Sequence, residues 1–131
     1  MAIVVKKVKE ALKYVPVSEV GTDKPFTVLI KPLDNKTLLI LEDRIVKREG
    51  EVVSFSMGRY AFDVCKAAVL GWENITDDKN IPIEFTLGKD GIPTDTTIAN
   101  MGIEIIQEVA GIITAISRDS DKISILFPDA K

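Results

Sequence analysis

A chain of 131 residues is long enough for one hydrophobic core of ordinary size and too short for two, so residues 1–131 read as a single domain. Apolar residues at 46% and charged residues at 28% match a globular protein and argue against a disordered or membrane-embedded chain. With 17 basic against 20 acidic residues the net charge is −3, and the weak basic cluster at Lys6, Lys7, Lys9 and Lys13 reads as a solvated face rather than a nucleic-acid footprint.

In chain order, Val5, Val8, Leu12 and Val15 fall at spacings of three, four and three, the period of a short amphipathic helix stopped by Pro16. The β-branched start Ile3-Val4-Val5 argues for a strand instead, and both readings stay open. Ser18 to Pro25 is a loop, and Phe26 to Lys31, bounded by Pro25 and Pro32, reads as an edge or first strand. Asp34-Asn35 caps a predicted helix over Lys36 to Arg48 with Leu38, Leu41 and Ile45 as its apolar stripe and Gly50 as its stop, although Thr37 to Leu41 would also suit a strand. Glu51 to Ser56 alternates as a strand, and Ser56 caps a second helix running to about Leu70.

That second helix is apolar around most of its circumference and belongs at the centre of the core. Gly71 closes it, Trp72 follows, Thr76 to Asn80 makes a polar turn, and Ile81 to Phe85 alternates like a short strand weakened by Pro82. Gly88 to Pro93 is a second loop. The strongest periodic signal is a long amphipathic helix from Asp95 to about Ser117, with Ile98, Met101, Ile105, Val109, Ile112 and Ile116 as its stripe. Ile103, Ile106 and Ile113 fall outside that stripe, which means either a broadly buried helix or a subunit contact. Glu104, Gln107 and Glu108 rule this segment out as a membrane span. Residues 118–131 form a candidate C-terminal arm in which Ile123 to Phe127 alternates as a strand. The expected fold is a small α+β domain with about three helices, the last long and amphipathic, and a few short antiparallel strands.

No histidine is present, which excludes Ser-His-Asp and Cys-His catalysis and the usual zinc sites. Cys65, the only cysteine, can form no internal disulfide and sits at a buried helical position as a small hydrophobe, in keeping with a reducing compartment. Neither a phosphate loop nor a dinucleotide fingerprint occurs, and Gly88-Lys89-Asp90-Gly91 is a turn. Asp77, Asp78 and Asn80 lack the spacing of a calcium loop. The early Lys6-Lys7 pair interrupts the apolar core that a signal peptide needs, so secretion by that route is not expected and the Asn74-Ile75-Thr76 acceptor pattern is without consequence. No cofactor, metal or catalytic residue is expected, and the chain reads as a non-enzyme.

The run Val69-Leu70-Gly71-Trp72-Glu73-Asn74-Ile75-Thr76-Asp77, followed by Ile81-Pro82-Ile83-Glu84-Phe85 and a long helix, resembles small morphogenesis proteins encoded among the head and tail genes of tailed bacteriophages. Lys31-Pro32-Leu33 ahead of a charged helix adds to it; the likeness spans about Pro25 to Ser117, its firm part under twenty residues. The resemblance implies a tail assembly chaperone-like or minor virion protein whose partners are tape measure, tube or capsid and connector subunits. It implies a homo- or hetero-oligomer, without nucleic acid or membrane, in the host bacterial cytoplasm during assembly or in the particle itself. Candidate contact residues are Trp72, Asn74, Ile103, Ile106, Ile113, Ile125 and Phe127, and the strands expected at Phe26–Lys31 and Ile123–Phe127 would suit strand addition. The alternative is a small ligand-binding or regulatory domain of a bacterial cell.

Overall fold

A computed structural model describes residues 12–44, 46–49, 52–55 and 57–127. The chain starts with strand β1 (Leu12–Tyr14), passes a 3₁₀ turn at Val17–Glu19, and enters strand β2 (Thr27–Ile30). Helix α1 (Asn35–Arg44), the hairpin β3 (Val46–Glu49) and β4 (Val52–Phe55), and helix α2 (Met57–Ala68) follow. Strand β5 (Val69–Glu73) then leads into an excursion over residues 74–94, and helices α3 (Asp95–Ala99), α4 (Ile103–Arg118) and α5 (Asp121–Leu126) complete the fold. The architecture is α+β, with β1, β2 and β5 in one antiparallel sheet ordered β1-β2-β5.

Helix α2 packs chiefly on α4, and the pattern of small residues explains how closely. Ala61, Cys65 and Ala68 recur on one face of α2 beside Tyr60 and Val64, all buried, and meet the buried face Ile106, Val109, Ala110, Ile113 and Ile116 of α4. Their short side chains let the backbones approach until Cys65 Sγ lies 3.5 Å from the Ile106 carbonyl. Burial pushes the Cys65 thiol up to about 12, so it is a core hydrophobe. The sheet contributes Leu12, Val28, Ile30 and Val69 to the same core.

Polar ties fix the layers. Glu108 on α4 accepts hydrogen bonds from the Tyr14 hydroxyl and, at 2.9 Å, from the Val17 amide, clamping the start of the sheet to the helix. At the other end of α4, Ser117 Oγ accepts from the Leu33 amide at 2.8 Å and donates to the Ile113 carbonyl at 2.5 Å. Asp34 caps α1 as expected, its carboxylate accepting from the Thr37 amide at 2.7 Å, and these hydrogen bonds hold its carboxyl below the ordinary range.

Several expectations are corrected. The helix predicted over Lys36 to Arg48 stops at Arg44, because the following residues pair with β4 in the register Val46↔Phe55 and Arg48↔Val53. Phe26 to Lys31 supplies the central strand, not an edge. The second helix ends at Ala68, not Leu70, and Gly71 is no helix cap: it lies in β5 opposite Leu29, where an added Cβ would stand 3.4 Å from the Leu29 side chain. The β-favouring run Val69-Leu70 and Trp72 carries the chain directly from helix to strand. Ile81 to Phe85 forms no strand; it is held by an isolated bridge from Thr76 to Pro82, whose ring leaves no amide for a ladder. Leu12–Tyr14 resolves the first element as a strand over its described end, whereas the rest of that prediction, Ile45, Gly50 and the Ser56 cap lie outside the described residues.

The long C-terminal helix is two helices. Thr94 caps α3, its hydroxyl accepting from the Thr97 amide, and Gly102 at φ +83° breaks the path before α4. The break resets the phase, so Ile106 and Ile113 enter the core while Ile105 and Ile112 are only partly buried. Residues 121–126 are helical where a strand was expected: Asp119 starts the turn by accepting from the Asp121 amide, and helical spacing places Ile123 and Phe127 four apart toward the core, leaving Ile125 outside.

Candidate interaction surface

The surface is built from β5 and the excursion that leaves it. Trp72 pairs with Val28 across the ladder, and its ring meets Phe26 edge-on at 6.3 Å and Phe85 at 5.0 Å. Its indole N–H donates to the Ile83 carbonyl at 2.9 Å, so one side chain fastens the middle of the excursion, where its first reversal returns, back onto the sheet. Asn74 follows at φ +64°, a left-handed conformation that asparagine tolerates, and its amide donates to the Pro25 carbonyl at 3.0 Å.

Beyond this anchor the excursion closes twice on itself. The first tip is bridged at Thr76 and Pro82, and the Asp77 carboxylate accepts from the amides of Lys79 and Ile81, so Asp77 of the acidic cluster seen in the sequence serves to form a turn. The second is bridged at Leu87 and Pro93, and Thr97 Oγ1 donates to the Thr86 carbonyl to dock it on α3. Lys66 on α2 pairs with Asp95 at 2.5 Å beside the same junction. Between the fixed points Leu70, Ile81, Leu87 and Ile92 are exposed.

Of the seven candidate contact residues, Trp72 and Asn74 lie together here. Ile106 and Ile113 belong to the monomer's core and are withdrawn as surface residues, since the break at Gly102 turned them inward. Phe127 is buried with its ring edge-on to Tyr14 at 6.3 Å, which docks the end of α5 on its own domain and withdraws Phe127 as a surface residue. Ile103 and Ile125 are exposed, at 68% and 74%, on α4 and α5. The exposed Leu70, Ile81, Leu87 and Ile92 were missed by sequence reasoning; Pro82 and Pro93, which exclude ladder burial, were the available signal.

Among the described residues no helix is long and apolar enough to cross a membrane, and no group of three or more His, Cys, Asp or Glu side chains gathers as metal ligands. No protein-family model matches the chain, and no curated protein or solved structure matches it either.

Proposed function

We propose that the chain is a non-enzymatic protein-binding factor of tailed-bacteriophage particle assembly, either a tail assembly chaperone or a minor head or tail component of the virion. The observation that carries the reading is that the stretch whose sequence resembles those proteins leaves Leu70 and Ile81 exposed, with Leu87 and Ile92 exposed just beyond it, although large apolar side chains are exposed elsewhere too, among them Val17, Val20, Leu39 and Ile103. Four large apolar groups held outward by bridges and by the Trp72 anchor make a contact surface without collapsing into the core. The chain's lack of histidine and the consumption of Asp77 in its turn agree with a role in binding rather than chemistry. Its partners in this reading are tape measure, tube, capsid or connector subunits in the host cytoplasm.

Gene neighbours encoding capsid, tube and tape measure proteins are the expected genomic context, and neighbours of unrelated metabolism would contradict it. Mass spectrometry of purified particles and of infected lysate then separates the two forms: presence in both assigns a virion component, and presence in lysate alone assigns a chaperone.

A further inference from the structure

We draw no further inference here: the strongest candidate, the two-stranded β3–β4 sheet that follows α1 and that no third strand joins among the described residues, carries nothing because nothing in the structure shows what covers its edges.

Discussion

Glu108 is the residue that ties the start of the sheet to the longest helix, and Tyr14 is its main client. Burial first, then the hydrogen bond and negative charge of Glu108, raise the Tyr14 phenol above its ordinary value of 10.0. A raised folded-state value means the folded form favours the neutral phenol, so this contribution is fully present below about pH 10 and is lost as pH rises beyond it. Tyr14→Phe is therefore expected to lower stability by about 1 kcal/mol at neutral pH and to flatten the decline above about pH 10, as read by denaturant unfolding across that range. Trp72 is a second such residue. Trp72→Ala removes two edge-on aromatic contacts and the bond to Ile83, and is expected to cost about 2 kcal/mol, below the full core value because the ring is only half buried. The variant should stay folded with a loosened excursion, seen as faster amide exchange over residues 74–85; global unfolding at ambient temperature would make Trp72 purely a core residue. That Trp72 anchors a turn was legible in the sequence, because a lone tryptophan beside Asn74 and Asp77 has little else to do. Its partner Ile83 was not, because a backbone carbonyl leaves no trace in residue identity.

Among the elements, the pair α3 and α4 shows where periodicity misleads. Ile98, Met101, Ile105, Val109, Ile112 and Ile116 keep helical spacing across Gly102, yet the chain breaks there and restarts with a different face inward. A glycine within a helical pattern is compatible with continuity, so spacing alone could not distinguish break from tolerance. The conformation decides it: at φ +83° and ψ 150°, Gly102 occupies a region closed to other residues. Gly102→Ala is expected to destabilise the protein by about 1–2 kcal/mol in thermal or denaturant melts, although no neighbouring atom lies within 4 Å of the added Cβ. A neutral result would mean that α3 and α4 join into one helix at little cost. The tail illustrates the same ambiguity, since Ile123, Ile125 and Phe127 satisfy a period of two while Ile123 and Phe127 also satisfy a helical spacing of four. Packing of Phe127 on Tyr14 chose the helix. The β1 to β2 to β5 ladder was beyond local reading altogether, because Ile30 and Val69 are neighbours only after α1, the β3–β4 hairpin and α2 intervene.

As a whole molecule the chain divides its work between a closed core and an open margin. The core, with α2 on α4 beneath a three-stranded sheet, is completed by buried aliphatic side chains and polar ties such as Glu108 and Ser117. The margin consists of β5 and the excursion over residues 74–94, where turns hold Ile81, Leu87 and Ile92 outward. A core of that kind was expected from composition and from the apolar second helix, and the two chain reversals were legible as the polar turn at Thr76 to Asn80 and the loop at Gly88 to Pro93; the exposure of Ile81 and Leu87 beside them was not, because it has no periodic signature. Protein binding through this margin is the central claim, and Lys79 and Lys89 stand on its two tips as natural attachment points for an amine-reactive cross-linker. Cross-linking followed by mass spectrometry in cells assembling phage particles should join Lys79 or Lys89 to a tape measure, tube, capsid or connector subunit. Cross-links from these lysines confined to this chain, with none to any particle protein, would contradict the account.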